Sequence, residues 1–354
     1  MRLAVIGAGA WGTTLASLAA RSQAPGARTT IWAREDEVVD AINETRANPW
    51  FLPGIDLPPQ MTATTSLAVA LDGADAVIVA VPSPFFRSVF RDLVALVSPD
   101  APVLSAVKGI ERGSLRRMTQ IIAEESDHDQ SLVGVLSGPN VAREVAEGQP
   151  AATVIALGDE AWSARLQDRF MSPTFRVYTN ADVIGCEIAG AVKNVIAIAA
   201  GIADGLGYGA NTKAALLTRG LAELARLGTA LGGQPLTFLG LAGNGDLVAT
   251  CSSPQSRNHR VGVELGKGCS IAEIIGGMHM VAEGVETTPG VLALAAQAGV
   301  EMPIAAEVDA VIRGERAPED AVARLMGRHA RPETEPDRPS ASFASPSLRS
   351  AIAV

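Results

Sequence analysis

Along the first half of the chain, short unbroken apolar runs alternate with stretches whose apolar residues return every three to four positions. The runs at 3–6, 30–32, 76–81, 103–107, 132–136 and 153–156 read as strands buried on both faces. The segments at 13–21, 87–96, 115–125 and 161–170 read as helices between them. This alternation predicts an α/β domain with a doubly wound, mainly parallel sheet. Near residue 182 the rhythm changes, and helical spacing takes over at 183–203, 211–231, 257–266, 270–277, 287–298, 304–312 and 318–327. The expectation is a first domain over 1–182 and an all-α second domain over 183–330. From Arg331 the chain turns to Pro, Ser, Arg and Glu, so 331–354 is expected to be a disordered tail.

Composition narrows the class. A chain of 354 residues, 47% apolar and 19% charged, has enough apolar surface for two cores and suits a soluble globular protein. A net charge of −9 argues against a nucleic-acid backbone as partner, since phosphate neutralisation needs clustered cations. Cys186, Cys251 and Cys269 are few and far apart and form no CxxC pair, which suggests neither a disulfide framework nor a metal site. The start, MRLAVIGAG, lacks the features of a signal peptide. The most apolar later stretch carries Glu187, Lys193 and Asn194, which argues against a membrane span. The cytoplasm is the expected compartment.

Two segments suggest chemistry. Gly7-Ala8-Gly9-Ala10-Trp11-Gly12 fits GxGxxG between an expected strand and an expected helix, the context of a dinucleotide-binding Rossmann loop. Gly7 permits the turn, Gly9 lets a pyrophosphate approach the backbone, and Gly12 allows the helix to pack closely. Arg34, just past the second strand, favours NADP(H), because an Arg there can meet a 2′-phosphate. With Glu35 and Asp36 beside it, NAD(H) stays possible and a solvated Arg34 remains an alternative. The second segment is 183–203, apolar on nearly every face yet carrying Lys193 and Asn194. A buried ammonium tends to give up its proton. Ala189, Gly190 and Ala197 leave space beside Lys193, which points to a general acid/base; the bland alternative is a pair with Glu187. Of 29 basic residues only four are lysine, and a retained lysine suits a position that needs a removable proton.

Taken with GAGAWGTTLA, VKGIE, LSGPNVAREVAEGQP, EIAGAVKNVIAIAAGIADGLGYGANTKAAL, LAGNGDLVATC, SRNHRVG and VAEGVETT, in that order, the chain resembles NAD(P)-dependent glycerol-3-phosphate dehydrogenases of the bacterial type. The resemblance implies reversible reduction of dihydroxyacetone phosphate to sn-glycerol 3-phosphate and a homodimer. It implies that Lys193 is the general acid, Asp246 its orienting partner, and Lys108 a contact to substrate and cofactor. It further implies substrate contacts from Gly138 and Asn140, a phosphate clamp of Ser256, Arg257 and Asn258, and cofactor contacts from Gly7, Gly9, Ala10, Trp11, Gly12, Arg34, Ala142, Arg257, Val281 and Glu283. The Ser-Arg-Asn run suits a phosphate on physical grounds too, offering an N-cap hydroxyl, free amides and a guanidinium. A dehydrogenase for another hydroxy acid or sugar phosphate, or a non-catalytic NAD(P)H sensor, are the alternatives. Of the remaining candidates, His128 in an acidic loop is expected to be solvated. The run 278–280 reads as core or loop, His259 could tune the clamp, and Lys213 could cap a helix or face the cleft.

Overall fold

The computed structural model describes residues 1–22, 26–278, 281–330 and 332–333; His279, Met280 and nearly all of the expected tail lie outside them. The first part runs β1 (Arg2–Ile6), α1 (Ala10–Ala20), β2 (Arg28–Trp32), α2 (Asp36–Asp40), β3 (Met61–Thr64), α3 (Leu67–Leu71), β4 (Ala76–Val79), α4 (Phe86–Leu93) and β5 (Val103–Ser105). It continues with α5 (Met118–Glu125), β6 (Val133–Ser137), α6 (Ala142–Ala146), β7 (Ala151–Ala156), α7 (Glu160–Phe170) and β8 (Phe175–Asn180). The strands form one sheet in the order β3-β2-β1-β4-β5-β6-β7-β8. All pairs are parallel except β6 with β7.

Alternation along β1 shows why helices lie on both faces. Leu3 and Val5 join Leu15, Ala16 and Phe170 in one apolar layer. Ala4 and Ile6 join Phe86, Phe90 and Ile121 in the other. Strands β3 and β8 were not among the expected ones. MTAT carries two threonines, and FRVYTN alternates buried with exposed residues at the sheet edge, so neither shows a continuous apolar run.

After β8 the described chain is helical: α8 (Val183–Gly205), α9 (Ala210–Ala230), α10 (Pro235–Leu239), α11 (Asp246–Ser252), α12 (Arg257–Gly266), α13 (Ile271–Gly276), α14 (Glu283–Ala298), α15 (Pro303–Ile312) and α16 (Pro318–Met326). Helix α8 is long and apolar enough to cross a membrane by length and composition, yet 83% of its most apolar window is buried within the fold. It is the axis of the second core, with α9, α11, α12 and α14 packed around it.

The tightest contact is that of α8 with α12, and glycine makes it possible. Gly201 and Gly205 of α8 face Gly262 and Gly266 of α12. A Cβ at Gly201 would fall on the His259 carbonyl, and one at Gly262 on the Ile198 carbonyl. Backbone lies against backbone, which fixes the height at which the first turn of α12 stands beside the middle of α8. Alanine at Gly201 or Gly262 is therefore expected to destabilise the fold by about 1–3 kcal/mol through overpacking. Alanine at Gly276, with nothing within 4 Å of its Cβ position, should be neutral or stabilising. Urea midpoints at constant m would show this; equal midpoints for the three variants would contradict it.

Candidate active site

The C-terminal ends of β1 and β2 meet at the glycine loop, where the Gly7 amide donates to the Trp32 carbonyl at 3.0 Å. Gly7 has φ 114°, a conformation that favours glycine, and a Cβ there would meet the Ala80 carbonyl oxygen at 2.9 Å. At Gly12 a Cβ would fall on the Gly7 carbonyl, whereas at Gly9 nothing lies within 4 Å. The missing side chain of Gly9 thus leaves open space against the backbone at the start of α1, where Ala10 and Trp11 begin the helix and no side chain caps it. The Trp11 indole nitrogen beside it is buried with no partner among the described residues. This arrangement fits a dinucleotide pyrophosphate, which needs free amides and close backbone approach. Ala142, whose carbonyl accepts from the Thr14 hydroxyl at 3.2 Å, stands beside the same helix. Arg34 is 77% exposed and holds Glu35 Oε1 through Nε at 3.0 Å and Nη2 at 2.8 Å.

The chain's chemistry gathers where the sheet meets α8. Lys108, from the loop after β5, donates to Asp246 Oδ2 at 2.6 Å and to the Gly138 carbonyl at 2.8 Å. Lys193, in the middle of α8 and 5% exposed, donates to Asp246 Oδ1 at 2.8 Å and to the Thr250 hydroxyl at 2.6 Å. That hydroxyl also lies 3.1 Å from Asp246 Oδ1. One carboxylate therefore joins two lysines from opposite sides of the seam. Burial pulls the Lys193 ammonium down to about 8 against the opposing pull of Asp246, and the repulsion of Lys108 adds to the lowering. Asp246 stays below the usual carboxylate range, because the two lysines outweigh the burial that opposes them. Gly190, three residues before Lys193, lets Lys108 lie close to α8: a Cβ there would crowd Lys108 Cγ at 3.2 Å and Ser137 Oγ at 3.3 Å.

A ladder of amides extends from this cluster. Asn194 donates to the Lys108 carbonyl at 3.0 Å and accepts from Asn258 Nδ2 at 2.8 Å, while Asn258 Oδ1 accepts from the Gly284 amide at 2.9 Å. Ser256 is the N-cap of α12, accepting from the His259 amide at 3.2 Å. Arg257 is exposed, and its guanidinium donates to the Val281 carbonyl. Glu283 takes the Ser83 amide at 3.0 Å and the Ser83 hydroxyl at 2.5 Å, tying the start of α14 to the loop after β4. Burial pushes its carboxyl up, against the hydrogen bonds from Ser83. Asn140 points elsewhere: its amide donates to the Ala152 carbonyl at 3.0 Å and its oxygen accepts from Thr153 at 2.8 Å, both on β7.

The bland alternative for Lys193, a pair with Glu187, is absent: Glu187 takes the Arg117 guanidinium, the Thr119 amide at 2.9 Å and the Thr119 hydroxyl at 2.5 Å. One expectation changes here. His128 is buried, not solvated, with Nε2 3.1 Å from the Ser98 carbonyl. Thr250 and Asn194 belong to the site although the residue reading gave neither a role. For Thr250 the signal was its place four residues after Asp246, one turn of helix.

A glycine loop on a mainly parallel sheet, with two lysines on one buried carboxylate where the sheet meets a helical unit, is the make-up of a nicotinamide-dependent dehydrogenase. Comparison with known proteins gives the particular family. The N-terminal model of NAD-dependent glycerol-3-phosphate dehydrogenase matches residues 2–163, and the C-terminal model matches 182–323. The chain belongs to that family. A Sphingopyxis alaskensis protein named glycerol-3-phosphate dehydrogenase, NAD(P)+, is 49% identical over 95% of this chain and 99% of its own length. Another of that name from Streptomyces griseus is 48% identical over 94% and 98%. The crystal structure of glycerol-3-phosphate dehydrogenase from Coxiella burnetii superposes with a TM-score of 0.86 at 37% identity, covering 92% of this chain and 99% of that one.

Were Lys193 the proton donor of a carbonyl reduction, the reduction would need its ammonium form and alcohol oxidation its free amine. Reductive kcat is expected to fall as pH rises through about 8, and oxidative kcat to rise over the same range. Profiles in both directions at saturating substrates would test this, and parallel profiles would remove Lys193 as the proton donor.

Proposed function

We propose that this chain catalyses the reversible reduction of dihydroxyacetone phosphate to sn-glycerol 3-phosphate with NAD(P)H. The observation that carries this is the buried Lys193–Asp246–Lys108 bridge. A bound reduced nicotinamide supplies the hydride; Gly7, Gly9, Ala10, Trp11 and Gly12 would hold its pyrophosphate, with Ala142, Val281 and Glu283 along its length. An ammonium has three N–H donors. Lys193 directs two of them to Asp246 and Thr250, which leaves the third for the substrate oxygen. As charge develops on that oxygen, Lys193 gives up its proton, a general-acid contribution of about 10²–10⁴-fold. Lys108 likewise has two donors engaged and one to offer. Ser256, Arg257 and the second N–H of Asn258 grip the phosphate. Gly138 shapes the floor and takes Lys108, and Asn140 fixes that loop to β7.

Arg34 supports a preference for NADPH, with NADH accepted. It follows two residues after Trp32, the end of β2, whose carbonyl takes the Gly7 amide, and its guanidinium would move from Glu35 to a 2′-phosphate. We further infer cytoplasmic action as a homodimer and a product that feeds glycerophospholipid synthesis.

The decisive assay is loss of nicotinamide absorbance on adding dihydroxyacetone phosphate, run with NADPH and NADH in parallel; folded, cofactor-binding protein that oxidises neither would overturn the assignment. Lys193→Ala is expected to lower kcat at least about 100-fold with the fold intact. Arg34→Ala should raise the KM for NADPH about ten-fold and leave that for NADH within about two-fold. Equal changes for both cofactors would remove Arg34 from the discrimination.

A further inference from the structure

Among the charged clusters outside the lysine bridge, one joins three helices of the second core. Near the end of α8, Asp204 Oδ2 lies 2.8 Å from Nε2 of His259 and accepts from Nζ of Lys213 at 2.7 Å. The three groups come from α8, α12 and α9. None is fully exposed, and the His259 side chain is 11% accessible.

His259 is held at three points. Its carbonyl faces the Gly201 backbone so closely that a Cβ there would land on it. Its ring reaches Asp204 less than one turn further along α8. Its amide donates to the Ser256 hydroxyl, closing the N-terminal turn of α12. That turn holds Ser256, Arg257 and Asn258. A helix resting on a flat glycine stripe can still roll about its own axis, because glycine offers no knobs to resist. The Asp204 carboxylate opposes that roll from one side, and the Asn194–Asn258 amide pair from the other.

We propose that Asp204, His259 and Lys213 are positioning residues that set the angle of the phosphate clamp, so that they govern affinity for the phosphorylated substrate and not the chemical step. Lys213 has a second part: its ammonium balances the Asp204 carboxylate, which would otherwise repel a phosphate dianion near the first turn of α12. The proposal rests on reading Ser256–Arg257–Asn258 as that clamp.

The test compares Asp204→Asn, His259→Leu, His259→Gln and Arg257→Ala. The readouts are kcat and KM for dihydroxyacetone phosphate, the inhibition constant of inorganic phosphate, the Kd for NADPH, and Tm. Asp204→Asn and His259→Leu are expected to raise KM and the phosphate inhibition constant about ten-fold, with kcat within about three-fold and the NADPH Kd unchanged. His259→Gln, whose amide nitrogen can still donate to Asp204, should recover both to within about three-fold of the parent. An unchanged KM in Asp204→Asn beside a raised KM in Arg257→Ala would overturn the positioning role and leave the clamp standing. An unchanged KM in Arg257→Ala as well would overturn the clamp itself. Parallel losses in kcat, cofactor affinity and Tm would mean general structural damage and also overturn the proposal. Should Asp204→Asn fail to fold, the two His259 variants decide the matter alone.

Discussion

A single carboxylate, Asp246, organises this molecule. It is 1% exposed and takes one lysine on each oxygen. Removing either cation would leave a buried charge poorly matched, a change that typically costs about 3–5 kcal/mol. The lysines arrive from different parts of the chain, Lys108 from the loop after β5 and Lys193 from the central helix, so the bridge fastens the two parts together. The chain presents Asp246 directly after a π-helical turn at Leu241–Gly245, at the start of α11. Such turns widen a helix locally and recur at functional sites.

Glycine serves two opposite ends in this fold. In the N-terminal loop the absent side chain of Gly9 leaves room for a ligand. Along α8 and α12 the absent side chains leave no room at all, and two backbones meet. Close packing sets Asn258 within hydrogen-bond reach of Asn194, and Asn194 in turn holds the Lys108 carbonyl. The position of the sheet-borne lysine is thereby coupled to the helix that carries the proposed phosphate clamp. Arg117 and Thr119 on Glu187, and Ser83 on Glu283, add two further ties across the seam.

What the sequence disclosed follows from what is local. The glycine loop, the buried strands and the apolar helix around Lys193 each show themselves within about twenty residues, the scale on which periodicity operates. Features set by distant partners did not show. Strands β3 and β8 take their places from pairing, not from apolar content. The antiparallel β7 is invisible because composition does not encode strand direction. The partners of Glu187 lie near residue 118, about 70 positions away, where no local pattern reveals them. His128 sits among Asp127 and Asp129, which reads as solvent, yet its ring is buried on the Ser98 carbonyl. For Lys108, Asp246 and the Ser256 run, single residues carried weak signals. Resemblance to the family united them; the structure joins Lys108 directly to Asp246, while Asn258 reaches Lys108 only by way of Asn194.

The joining of Lys108 and Lys193 on Asp246 also bears on why the proposed proton donor is a lysine in a chain that otherwise fills basic positions with arginine. A guanidinium cannot lose its proton at ordinary pH, whereas an ammonium under burial can. With two ammoniums and one carboxylate, the cluster holds one net positive charge, which in the proposed reaction would face a neutral carbonyl. Hydride transfer to the carbon would leave a negative charge on the oxygen; proton transfer from Lys193 would then leave both the cluster and the product oxygen neutral. At no stage does the buried seam have to hold an isolated anion, whose desolvation would be expensive. Asp246 does more than orient the amine in this scheme. By setting the starting charge of the cluster at one, it matches the single charge that the reaction creates.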